Sequence, residues 1–247
     1  MSKAKKFKVK KKENLLGSIL RGVVKIIKRK MKVVNLNDSL PEGAIMIANH
    51  SGASGPMTYR RFLTPPSMMV WGAYQMLEGY RERRRYLIDI FYGQKLGYSK
   101  KRSKVSGTLF GIVSRILYKT AGVIPVYYDN RLKETMRQSI ACLDENVSVL
   151  IFPENAENGY QDFMSEDFYK GYITLSKIYK KHSGREVPVY TLYHSKADNV
   201  VVVGKPHYVS EIAAKHGKEN VNRFFRNYMN ELRENYVVKN RNPAVLK

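Results

Sequence analysis

Val149-Leu150-Ile151-Phe152-Pro153-Glu154-Asn155 is a short apolar run that stops abruptly at polar residues, and its reading decides the fold. A run of this length, closed by a proline and a carboxylate, is the pattern of a buried strand that delivers side chains to a sheet edge. The earlier stretch Ala44-Ile45-Met46-Ile47-Ala48-Asn49-His50-Ser51 ends in the same way. One strand end therefore carries a histidine, the commonest general base in proteins. The other carries a glutamate behind a proline that fixes the turn. Taken alone, a histidine at a strand end also has a purely structural reading.

Working outward, residues 68–71, 122–128, 187–193 and 199–203 are expected strands, with Gly204-Lys205-Pro206 ending the last pairing. Residues 56–64, 132–143, 167–181 and 218–236 are expected helices, and 73–119 is helix-rich, with basic clusters at 81–85 and 100–104. The last helix places Val221, Phe225, Met229 and Leu232 on one face, which reads as core. Strands alternating with helices predict an α/β fold: a mixed, largely parallel sheet flanked by helices. No internal repeat is evident. The expected organisation is a basic N-terminal appendage over 1–37 and one domain over 38–247, with the polar stretch 35–42 as the link.

Composition narrows the partners. A chain of 247 residues with 43% hydrophobic residues and 18 tyrosines can bury a substantial core. The single cysteine, Cys142, excludes an intramolecular disulfide and any multi-cysteine metal site, which fits a reducing cytoplasm. No segment has the apolar length to cross a bilayer, and no signal peptide is recognised. The formal net charge of +23 predicts attraction to a polyanion: nucleic acid, anionic lipid or a phosphate-rich cofactor such as coenzyme A.

Residues 1–32 hold thirteen Lys or Arg against one acid, Glu13. Within them, Leu16, Ile19, Leu20, Val23 and Ile27 fall on one helical stripe beside a polybasic tail. That is the composition of a helix lying in the headgroup region of an anionic leaflet, although the same stripe could pack on the protein's own core. The expected location is therefore cytoplasmic, peripheral on the inner face of the cell membrane. A nucleic-acid-binding reading rests on charge alone. No zinc, RRM or basic-zipper pattern accompanies it, so nucleic acid is not the expected partner.

Four blocks in order resemble the glycerophospholipid acyltransferases, typified by lysophosphatidate and glycerol-3-phosphate acyltransferases. Asn49-His50 with its polar turn looks like the first block, and Gly122-Val123-Ile124-Pro125-Val126 like the second. Phe152-Pro153-Glu154 with Phe168-Tyr169-Lys170-Gly171 looks like the third, and Val187-Pro188-Val189 with Gly204-Lys205-Pro206 like the fourth. The resemblance covers about 40–240. It implies transfer of a fatty acyl group from an acyl-CoA or acyl-carrier-protein thioester to a hydroxyl of a lysophospholipid or related acceptor. No bound cofactor or metal is implied, since the thioester is a co-substrate.

The resemblance also implies roles. His50 would take the proton of the attacking hydroxyl, and Ser51, Gly55, Arg131, Glu154, Asn155 and Lys170 would bind substrate, Glu154 by shaping the acceptor site. Backbone N–H groups of the 51–55 turn could meet an oxyanion or a phosphate. Three positions depart from the family pattern. Gly55 stands where the family has the aspartate five residues after the histidine, Tyr128 where it has an arginine, and Asn155 where it has glycine.

In the family the aspartate fixes the imidazole tautomer, so without a substitute the activity is expected to be weak or absent. Glu78, Asp89 or a backbone carbonyl are the candidate substitutes, and Arg131 could stand in for the arginine. A catalytically degenerate protein that binds lipid or a partner is the alternative. His182, His194, His207 and His216 lack metal-ligand spacing and read as surface or structural. A nucleophilic-serine reading of 51–55 fits poorly, because the histidine directly precedes it.

Overall fold

The structure is a computed structural model that describes residues 9, 31–40, 42–51, 59, 68–155 and 159–241, without the side chains of 120 and 121. The anticipated amphipathic helix over 13–32 lies outside the described residues except for Met31 and Lys32, and so do Gly55 and all of the expected helix 56–64 except Tyr59.

Seven strands form one sheet in the order β1-β7-β6-β2-β5-β3-β4. They are β1 (Lys32–Asn35), β2 (Ile45–Ala48), β3 (Met68–Ala73), β4 (Val123–Val126), β5 (Ser148–Ile151), β6 (Val189–Ser195) and β7 (Val200–His207). Five neighbours, β6, β2, β5, β3 and β4, run parallel, while β7 is antiparallel to β6 and carries β1 parallel to itself. This is the α/β fold with a mixed, largely parallel sheet that the strand–helix alternation predicts.

The flanking helices are α1 (Tyr80–Tyr86), which runs on as wide π-helical turns over Leu87–Lys95, then α2 (Lys100–Ala121) and α3 (Leu132–Asp144). They are followed by α4 (Gly171–Ser183), α5 (Val209–His216) and α6 (Val221–Arg233). Helix α2 stops at Gly122, whose φ of 64° is left-handed and open to glycine without a Cβ clash. Among the described residues, no helix is long and apolar enough to cross a membrane.

Successive side chains of a strand point to opposite faces, and here both faces are covered. Ile45, Ile47, Val149, Ile151 and Val189 face Leu143 of α3, Leu175 of α4 and Phe225 and Met229 of α6. Met46, Ala48, Leu150, Leu192 and Val201 face the other way, with Tyr59. Burial on both faces is why the central strands are continuous apolar runs rather than alternating ones. Cys142 lies in the first of these layers, fully buried, and burial pushes its thiol pKa up to about 12.

Two expectations need correction. Pairing of the last strand does not end at Gly204-Lys205-Pro206: β7 continues to His207, with Pro206 opposite Tyr190 and an irregularity between Tyr190 and Leu192. Strand β1 covers only Val200–Val203 of β7, so the stretch beyond is locally an edge, where a proline removes no ladder bond. Its polar groups find side chains instead. The Lys205 N–H donates to the Tyr228 hydroxyl at 2.8 Å, and the Gly204 carbonyl accepts from Asn37 Nδ2 at 2.9 Å. The second correction is β1 itself. Residues 32–35, expected in the appendage and the link, are a strand of the sheet.

Candidate active site

The carboxyl ends of β2 and β5, neighbours in the sheet, form the candidate site. From β2 the chain leaves toward β3, and from β5 it leaves toward β6, in the opposite direction along the sheet. A reversal of this kind is where open parallel sheets place their binding crevices.

Asn49 follows β2 and is fully buried. Its Oδ1 accepts from the His194 N–H at 2.7 Å, and its Nδ2 donates to the His194 carbonyl at 3.0 Å. These two bonds add a side-chain rung to the β2–β6 ladder, one step past the Ala48–Leu192 pair. Ser51 is also tied down: its Oγ accepts from the Lys196 N–H at 3.0 Å. The backbone on both sides of His50 is thus fixed to β6 and the turn after it. Asn49→Ala would remove both of these buried bonds to the His194 backbone, so a loss of about 2–4 kcal/mol is expected in chemical denaturation.

Glu154 follows β5 and is 9% exposed. The turn before it is held by the Pro153 carbonyl, which accepts from the Tyr169 N–H at 2.7 Å. Its Oε1 accepts twice from His50: from the backbone N–H at 2.6 Å and from Nδ1 at 2.7 Å. A carboxylate has no proton to give, so Nδ1 must be the donor. In the neutral ring the lone pair then lies on Nε2.

The ring faces are also occupied. Phe152 lies 4.2 Å from the imidazole centroid at 31°, and Tyr160 lies 4.8 Å away at 23°. Among the described residues Glu154 takes Nδ1, which leaves Nε2 as the ring nitrogen that can reach substrate. The His50 side chain is 20% exposed. The Tyr160 phenol is held neutral well beyond its ordinary range by burial first, then by Tyr86, Glu154 and Tyr118. Tyr86 is shifted upward by burial and by Tyr118 and Tyr128, and Tyr118 is pushed up to about 12 by burial. A neutral phenol, that of Tyr160, therefore stacks on the histidine.

The other sequence-predicted residues are spread along the same sheet edge. Asn155 accepts from the Tyr169 hydroxyl at 3.2 Å. Lys170 is exposed at the start of α4, where its carbonyl accepts from the Thr174 N–H at 3.0 Å. Arg131 follows β4, a strand three places from β2 and so about 14 Å from it across the sheet at the usual spacing. Its guanidinium is paired two-pronged with Asp129 at 2.8–3.1 Å and lies over the Tyr127 and Tyr74 rings at 4.3 and 5.0 Å. That pair holds the Asp129 carboxyl below its ordinary range.

The expected carboxylate substitutes are elsewhere: Glu78 and Asp89 are exposed on the segments around α1, and Glu154 holds the ring in their place. The other histidines take packing or surface positions. His194 is buried beside Asn49, His207 packs on Phe224 and Tyr228, His216 stacks on Phe224, and His182 meets Asp144 at 3.1 Å.

Sequence reasoning missed two things here. The Glu154–Nδ1 bond depends on β2 and β5 being adjacent, which no local pattern encodes. Tyr160 sits in a loop without periodicity, and the only hint was the tyrosine content. Chemically, the arrangement can serve as a base: a buried carboxylate holds Nδ1, and the histidine side chain is 20% exposed. No protein-family model, curated protein or solved structure matches the chain.

Proposed function

We propose that the chain transfers a fatty acyl group from an acyl-CoA or acyl-carrier-protein thioester to a hydroxyl of a lysophospholipid or related lipid-like acceptor, at the inner face of the membrane. The observation that carries this reading is the 2.7 Å contact between Glu154 and His50 Nδ1. It supplies the carboxylate whose expected position, residue 55, holds glycine, and so it favours an active enzyme over a degenerate one.

An alcohol is a poor nucleophile until its proton leaves as attack begins. Nε2 of His50 accepts that proton while the acceptor oxygen bonds to the thioester carbon. The tetrahedral intermediate then expels the thiolate: the C–S bond breaks, the ester remains, and the imidazolium returns the proton to sulfur. Through both steps the Glu154 carboxylate stabilises the positive ring, as the aspartate does in a Ser-His-Asp triad. Phe152 and Tyr160 hold the ring orientation and exclude water from its faces, which strengthens that attraction. Cys142 is buried in the core, so the chain's one thiol is not placed to carry an acyl intermediate.

The test is release of free thiol from acyl-CoA and from acyl-carrier protein, measured with a panel of lysophospholipids, glycerol phosphate and simple alcohols. Thiol release that requires an acceptor and matches ester formed is expected. Absence of transfer from either donor by the folded protein would overturn the reading, and retained lipid binding in that case would favour the degenerate alternative.

A further inference from the structure

Helix α2 has its polarity reversed. The positions it buries are small, Ser103, Gly107, Gly111 and Ser114, whereas five of its six large aliphatic residues face out. Val105 is 60% exposed, Leu109 63%, Ile112 61%, Val113 48% and Ile116 55%. At the helical advance of about 100° per residue, all five fall within an arc of about 100°.

The helix cannot roll to hide this stripe. A Cβ on Gly107 would come within 3.1 Å of the Ile88 backbone nitrogen, and one on Gly111 within 3.2 Å of Tyr80. Polar bonds fix the same face. The buried Arg83 guanidinium donates to the Gly111 carbonyl at 3.1 Å, and Arg84 Nε donates to Thr108 Oγ1 at 2.8 Å. Small residues and hydrogen bonds hold α2 against α1 and its π-helical continuation, and the aliphatic stripe is what remains outside.

We infer that this stripe is the surface by which the protein docks on an anionic lipid bilayer. Charge selects the occupant. Lys100, Lys101, Arg102, Lys104, Arg115 and Lys119 lie on α2, and the helix contains no Asp or Glu. Lys101, Lys104, Arg115 and Lys119 run along one flank of the stripe. An apolar stripe edged by cations fits the boundary between acyl chains and anionic headgroups. A second copy of the chain would bring two such cationic helices together, and their repulsion opposes pairing.

This surface is built from residues other than those of the basic N-terminal stretch, and it stands on the exposure and charge of α2.

Cosedimentation of the full chain with vesicles of phosphatidylcholine alone, or mixed with phosphatidylglycerol, tests the inference. Wild type should bind the mixed vesicles. Leu109→Ser/Ile112→Ser, which removes apolar area at exposed positions without adding charge, should weaken that binding at least tenfold with an unchanged melting temperature. Arg115→Ser/Lys119→Ser should weaken it and flatten its salt dependence. His50→Ala should bind as wild type does, so a failure of the acyl-transfer reading leaves this result intact. Equal vesicle binding by wild type and Leu109→Ser/Ile112→Ser would overturn the inference and assign lipid contact to residues 1–32. A change in oligomeric state alone in that variant would also overturn it, in favour of a second copy.

Discussion

His50→Ala is expected to lower acyl transfer by about 10³- to 10⁴-fold while leaving the fold intact. The magnitude follows from what the imidazole supplies. Without a base, the hydroxyl must attack while still carrying its proton, and the thiolate must leave unprotonated. Orientation of the reactants and stabilisation of the oxyanion do not depend on the ring, so a residual rate over the uncatalysed reaction should remain. The fold should survive because the clamps around residue 50 belong to its neighbours: Asn49 on His194 and Ser51 on Lys196. A steady-state assay of ester formation, with a melting curve as control, reads both. Loss of less than tenfold in a folded variant would remove His50 from the chemistry.

Glu154→Gln separates orientation from charge, and its expected effect is about 10²-fold in kcat, equivalent to roughly 2.7 kcal/mol of barrier. In a Ser-His-Asp triad, aspartate to asparagine costs about 10⁴-fold, because the amide selects the wrong imidazole tautomer. The arrangement here differs in one respect. The Glu154 oxygen that meets Nδ1 also accepts the His50 backbone N–H at 2.6 Å. An amide at this position is held with its oxygen, not its NH₂, toward both donors. The tautomer should therefore survive, and the loss should reflect the missing negative charge beside the imidazolium. Glu154→Ala removes both bonds and should approach the His50→Ala rate. Equal rates for Glu154→Gln and Glu154→Ala would show that the shared oxygen does not select the tautomer.

The fold was legible because buried parallel strands have to be apolar throughout. Ile45–Ala48 and Ser148–Ile151 announce themselves by composition, and the polar residues that follow mark the sheet edge. Strand order was not legible. That β2 and β5 are neighbours is a long-range property, so the sequence points Glu154 at the acceptor site and Glu78 or Asp89 at the histidine. Strand β1 was hidden because it is four residues long and at most half-buried, so it lacks an apolar signature. Helix α2 was legible only as part of the helix-rich stretch 73–119, not in its bounds or its orientation. Periodicity finds an apolar stripe and assigns it inward, whereas the glycine contacts with Ile88 and Tyr80 turn the opposite face to the protein.

The central claim is that Glu154 fixes the proton of His50 on Nδ1 and leaves Nε2 as the base. Imidazole ¹⁵N resonances report the tautomer directly, and with five histidines in the chain a His50→Ala spectrum assigns the one that matters. At a pH where the ring is neutral, a protonated Nδ1 and a bare Nε2 are expected in the wild type, persisting in Glu154→Gln and lost to tautomer exchange in Glu154→Ala. A wild-type ring protonated on Nε2, or exchanging between the two forms, would contradict the account.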